Sequence, residues 1–131
     1  MSGPFPSTEG NAVPSVDGTD LGDTLTDLDG IHPGIDLIRD GVRLLAHDRL
    51  DVNTTQVLIA ALAGSADGTD VLAAIGQLVA RLTNADTNPA LRHLPLDVQK
   101  DAAHQGFLTS FHLGDSELRN SAATANAALD H

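Results

Sequence analysis

Between Ile35 and Leu82 the apolar residues recur at intervals of three and four, and all of them are aliphatic. That spacing keeps one stripe on one side of an α-helix, which turns once every 3.6 residues. No stretch alternates apolar and polar residues for long enough to compete as a strand, and no Asn-Gly or Asp-Gly hairpin joins β-branched runs. The expectation is an all-α chain: a compact bundle of four to five helices behind a flexible acidic N-terminal segment.

The packing must be made from small and aliphatic side chains. Aromatic residues are 2% of the 131, namely Phe5, Phe107 and Phe111. There is no Cys, which removes disulfides, thiol catalysis and thiolate metal sites. A chain of this length can bury a core without such staples.

The first helix of the bundle is expected over 34–48. Ile35, Ile38, Val42 and Leu45 would line its inner stripe, widened by Leu37 and Leu44, with Arg39, Asp40 and Arg43 facing away. A second, over 54–63 and capped by Asn53 or Thr54, is apolar all round. It should lie centrally and end at Gly64 in a left-handed conformation. A third, capped by Thr69 or Asp67, would run to about Thr83 and bury Val71, Leu72, Ile75, Leu78, Val79 and Leu82. Ala73, Gly76 and Ala80 form an adjacent small face that invites a close neighbour. A long connection over 84–95, with a turn near 90–93, leads to a helix from Leu96. Val98, Ala102, Leu108 and Phe111 would mark its buried face, and Gly106 would be its weak point. Gly114 stops it. Asp115 or Ser116 caps a last helix along Leu118, Ala122, Ala125 and Leu129.

Residues 1–30 differ in composition. They carry Glu9, Asp17, Asp20, Asp23, Asp27 and Asp29, three prolines, and no Lys or Arg. Such a segment buries too little apolar surface to offset its ordering entropy, so most of it, residues 1–18 above all, is expected to be disordered. The expected domains are therefore an acidic tail, 1–30, and a bundle, 31–131. Within the tail, Leu21, Leu25 and Leu28 share one side of a short amphipathic helix at 20–29, capped by Asp20, with Asp23 and Asp27 on the other side. Two uses compete for it: folding back onto the rest of the chain, or docking into a groove on a partner. VDGTDL at 16–21 resembles ADGTDV at 66–71, which fits either a duplicated unit or two similar helix caps.

The formal net charge of −11 repels phosphate backbones. The scattered Arg39, Arg43, Arg49, Arg81, Arg92, Arg119 and Lys100 form no basic run, so direct nucleic-acid binding is not expected. No apolar run approaches the roughly 20 residues that cross a bilayer, and MSGPFPSTEG has neither a basic nor an apolar leader segment. The expected location is cytoplasmic, without membrane insertion. The preference for Asp over Glu, Arg over Lys, and Ala suits a GC-rich, bacterial genome.

Chemistry finds little foothold. None of the registers beginning at Asp17, Asp20 or Asp23 fits a calcium-binding helix–loop–helix. There is no nucleophile elbow and no phosphate-binding glycine loop. Asp101 and His104 lie three apart on one helix, and with His47 they are the weak candidates for a metal site. Surface histidines beside carboxylates account for them better, and no cofactor is expected. The reading is therefore a non-catalytic acidic interaction module: a regulator, inhibitor or antitoxin-like partner, adaptor or assembly subunit. Leu21, Asp23, Leu25, Asp27 and Leu28 would contact a protein partner with a basic or amphipathic surface. Self-association is expected from surplus apolar surface on the second and third bundle helices. Alternatives are a small metal-dependent enzyme or metal-binding protein using Asp101 and His104, and an acidic mimic of nucleic acid that inhibits a DNA-binding protein.

Overall fold

A computed structural model of the chain describes residues 12–130. Disorder expected of residues 1–11 concerns positions outside this range. Among the described residues all regular structure is helical, in the order α1 Asp20–Asp27, α2 Pro33–His47, α3 Val52–Ile59, α4 Val71–Leu82, α5 Leu96–Leu113 and α6 Ser116–Ala127. A π-helical turn, Ala60–Gly64, continues α3, and a 3₁₀ turn, Pro89–Leu91, lies before α5. The described residues separate into two compact units, one ending at Leu50 and the other beginning at Asp51. α1 and α2 group in the first unit and α3 to α6 in the second.

In the first unit, residues 16–19 form a turn closed by Thr19 N–H to the Val16 carbonyl at 3.1 Å, with Gly18 at φ +80°. Thr19, not Asp20, caps α1: its hydroxyl accepts from Gly22 N–H at 3.1 Å. Pro33 opens α2, where its missing N–H costs nothing. His32 caps this helix through Nδ1, which accepts from Gly34 N–H at 2.8 Å. Arg39 does not project away as its position on the wheel suggested. Its side chain is mostly buried and pairs with Asp40, Asp36 and Asp29. Asp40 contributes most to raising its pKa, ahead of Asp36 and Asp29. The turn between α1 and α2 is thus tied to α2 by a guanidinium. The expected inner stripe of α2 is only half realised: Ile35, Val42 and Leu45 are half-buried, whereas Ile38, Leu37 and Leu44 are exposed.

In the second unit, Asp51 starts α3 two residues earlier than expected, accepting from Thr54 N–H at 2.7 Å. The helix is not central; it holds no buried residue, and Val57 is exposed. Gly64 is not left-handed either. The wide π turn brings the Ile59 carbonyl to 3.2 Å from where a Cβ on Gly64 would sit, so a small residue is used for closeness.

The central contact of this unit is α4 against α5. They run antiparallel: Gly76 lies beside Ser110 and Leu113, and Gly106 beside Ala80 and Thr83. A Cβ on Gly106 would overlap Thr83 Oγ1 and reach 2.9 Å from Thr83 Cβ, while one on Gly76 would reach 2.9 Å from Leu113 Cβ. Small residues let two helix axes come to the near end of the usual range of about 8–10 Å. Gly106 is therefore not a weak point but the closest approach of the pair. The small face of α4, Ala73 and Gly76, is the buried one. Of the expected stripe, Val71, Ile75, Leu78 and Leu82 are exposed and Leu72 and Val79 half-buried; on α5, Val98 and Phe111 are exposed and Ala102 and Leu108 half-buried. On α6 the inward positions are Arg119, Ala122 and Asn126, with Leu129 half-buried just beyond its end, while Leu118 and Ala125 are exposed.

The segment between α4 and α5 is long but well held. Thr87 Oγ1 donates to the Arg81 carbonyl at 2.6 Å and Asn88 Nδ2 to the Leu82 carbonyl at 2.9 Å, closing the C-terminal end of α4. Arg92 Nε donates to the Ala85 carbonyl at 2.8 Å, and Gln99 Nε2 to the Leu94 carbonyl at 2.7 Å. These side chains satisfy the carbonyls that a loop otherwise leaves to water.

Candidate functional site

Two surfaces stand out, one acidic and one apolar. Asp20, Asp23 and Asp27 recur on α1 at intervals of three and four, share one side of the helix, and are exposed. Leu25 sits opposite and is 2% exposed. Gly22 is also buried, pressed against the Val16 carbonyl. Of the five residues singled out for partner binding, Asp23 and Asp27 are thus accessible, Leu21 is exposed beside them, Leu28 is half-buried, and Leu25 is covered. What α1 presents outward is a row of carboxylates, not a row of leucines.

The apolar surface lies on α4. Val71, Ile75, Leu78 and Leu82 are 47%, 38%, 47% and 54% exposed. They follow each other at helical spacing on the side away from α5, because Ala73, Gly76 and Ala80 occupy the facing side. On α5, Phe107 and Phe111 stack with ring centroids 6.5 Å apart and both remain exposed. Full burial of such a side chain contributes about 1.5–3 kcal/mol, so covering the exposed half contributes on the order of 1 kcal/mol each.

Between these helices and α6 lies the one buried charged cluster among the described residues. Asp70 caps α4, accepting from Ala73 N–H at 3.0 Å, where Thr69 or Asp67 was expected to do so. The same carboxylate accepts from Arg119 Nε at 2.6 Å and from Nη2 at 2.5 Å. Arg119 Nη1 donates to the Asp115 carbonyl at 2.9 Å. The side chains are 3% and 0% exposed for Arg119 and Asp70. The guanidinium holds the Asp70 carboxyl down at about 2, helped by the backbone donors of Ala73 and Ser65. Asp67 is an organiser of the preceding loop. The Ser65 and Thr69 hydroxyls donate to it, and they hold its carboxyl at about 2. Gly68 turns this loop at φ +74°. The two similar strings at 16–21 and 66–71 are thus the same device, a glycine turn feeding a cap, with the capping residue shifted from Thr19 to Asp70. Each guanidinium nitrogen of Arg119 has a partner within the chain, so the geometry is that of a structural clamp.

Asp101 and His104 are exposed one turn apart on α5, and His47 belongs to the other unit. Among the described residues no group of three or more His, Asp or Glu side chains is placed to hold a metal ion. No helix among them is long and apolar enough to cross a membrane. Sequence reasoning missed the Asp70–Arg119 pair altogether. Its partners are far apart in sequence, and the only local signal was an Asp directly before an apolar helix. Comparison of the chain with family models, with curated proteins and with solved structures finds no match.

Proposed function

We propose that this chain is a non-catalytic, acidic, helical interaction module that binds a protein partner through a basic or amphipathic surface on that partner. It would serve in the cytoplasm as a regulator, inhibitor or antitoxin-like partner, adaptor or assembly subunit. The observation that supports this reading is the row Asp20, Asp23 and Asp27 on the outward side of α1, with Leu25 seated on the inward side. A rigid row of carboxylates on a short helix can meet Lys or Arg side chains without first ordering itself, which lowers the cost of binding. Residues 1–30 would act as the acidic recognition segment.

The test is capture from a lysate of the source organism on the immobilised full chain, compared with Asp23→Asn/Asp27→Asn. Both positions are exposed, so the substitutions should leave helical circular dichroism intact. Capture by the wild type should weaken as salt rises, and the double variant should lose about tenfold or more in retention, as expected for two removed interfacial charges. Retention unaffected by both salt and the double substitution would refute the acidic-row reading.

A further inference from the structure

We propose that α4 pairs with α4 of a second copy of this chain, antiparallel, about a two-fold axis passing between Ile75 and Leu78. The spacing of the exposed stripe carries this. Val71, Ile75, Leu78 and Leu82 are separated by four, three and four residues, an order that reads the same from either end. In an antiparallel pair, Val71 of one copy then falls opposite Leu82 of the other, and Ile75 opposite Leu78. A stripe with that symmetry is self-complementary, as an isologous interface requires. The opposite side of α4 is already filled by α5 at Gly76, so the pairing displaces nothing.

Charge selects a second copy over a basic partner at this face. The chain carries −11 overall, yet no acidic residue occurs from Val71 through Ala85. Two copies can therefore meet here without the repulsion their other surfaces would impose. Arg81 is the one charged residue of α4 and is exposed. In the antiparallel pair it falls level with Leu72 of the other copy, at the edge of the stripe. A cationic partner would find no carboxylate along this stripe. One helix face is smaller than the roughly 800 Å² per partner of a standard interface, so the association is reversible and concentration-dependent. The pairing rests on the reading of the chain as an interaction module, but its test uses the purified full chain alone, so its failure leaves the acidic row of α1 untouched.

Sedimentation equilibrium of the full chain should show a monomer–dimer transition, and Leu78→Glu should return the mass to one chain with its helical circular dichroism retained. Leu78 is exposed in the single chain, so Glu there does not disturb the fold. Because the chain has no Cys, single substitutions report the register directly. Mixed Val71→Cys and Leu82→Cys proteins should form a disulfide-linked dimer under mild oxidation. Val71→Cys alone should not, since its two copies would lie about 16 Å apart along the helix axes. A chain that stays monomeric up to about 1 mM, the weak end of useful association, overturns the proposal. So does a dimer unchanged by Leu78→Glu, or Val71→Cys cross-linking to itself as readily as to Leu82→Cys.

Discussion

The Asp70 carboxylate receives two hydrogen bonds from the Arg119 guanidinium, at 2.6 and 2.5 Å, and caps α4 with one of the same oxygens, Oδ1. One side chain therefore fixes both where α4 begins and where α6 lies. Asp70→Asn keeps a capping oxygen but leaves a buried guanidinium without its counter-charge. We expect a loss of about 3 kcal/mol, the usual scale for breaking a buried pair from one side, read as a lower urea midpoint. Asp70→Asn/Arg119→Met should recover much of it, because a well-packed apolar replacement is often neutral.

The same pair sets an acid limit. The Asp70 carboxyl is depressed from 3.8 to about 2, so below about pH 4 the unfolded chain takes up a proton that the folded chain refuses. Its contribution is complete above that point and is lost as pH falls towards 2. The stability difference between wild type and Asp70→Asn should be constant at neutral pH and shrink between about pH 4 and 2. A difference that is flat across this range in acid titrations followed by circular dichroism would contradict it. Asp67 has the same sign and range.

Glycine substitutions should differ in sign. Gly41 in α2 has open space within 4 Å of where a Cβ would sit, so Gly41→Ala should stabilise by up to about 1 kcal/mol through helix propensity. Gly106→Ala meets Thr83 Cβ at 2.9 Å and overlaps its hydroxyl. It should destabilise by about 1–3 kcal/mol despite the better propensity. Thr83→Ala in the Gly106→Ala background should restore part of the loss in thermal melts.

Phe111 tests which apolar residues form the core. It is exposed and touches its neighbours Phe107 and His112 on the same helix. Phe111→Gln should cost about 1 kcal/mol or less, where a buried Phe would cost about 3–5 kcal/mol on truncation. Chemical denaturation of the variant decides between them.

Metal binding offers a last check. Asp101 and His104 supply two ligands at most from α5. Asp101→Ala should leave the zinc content of the purified, untagged chain unchanged and substoichiometric. Stoichiometric zinc that disappears with this substitution would restore the metal reading.

The helices themselves were legible from local pattern. The three-and-four recurrence marked α2, α4 and α5 to within a residue or two, and Gly114 and Asp115 marked the junction of α5 and α6. Such features depend on backbone geometry and on residues within one turn of each other, which the linear order contains. The acidic side of α1 was legible for the same reason.

Which face of each helix is buried was only partly legible on α4, α5 and α6: Leu72, Ala102, Leu108 and Ala122 turn inward as expected, but Ile75, Leu78, Val98, Phe111 and Leu118 do not. A hydrophobic stripe says only that a surface favours leaving water; it does not say that a neighbour is present to cover it. On α4 the large stripe lost to the small one. Gly76 and Gly106 allow the backbones to approach, and that closeness pushes Ile75 and Leu78 to the far side. The Asp70–Arg119 pair likewise required two helices to be brought together before either residue could be recognised. Sequence alone settled that this chain is helical and acidic, because periodicity and charge are properties of the string. The tertiary structure alone decided which residues touch, because close packing depends on the shapes of two surfaces at once.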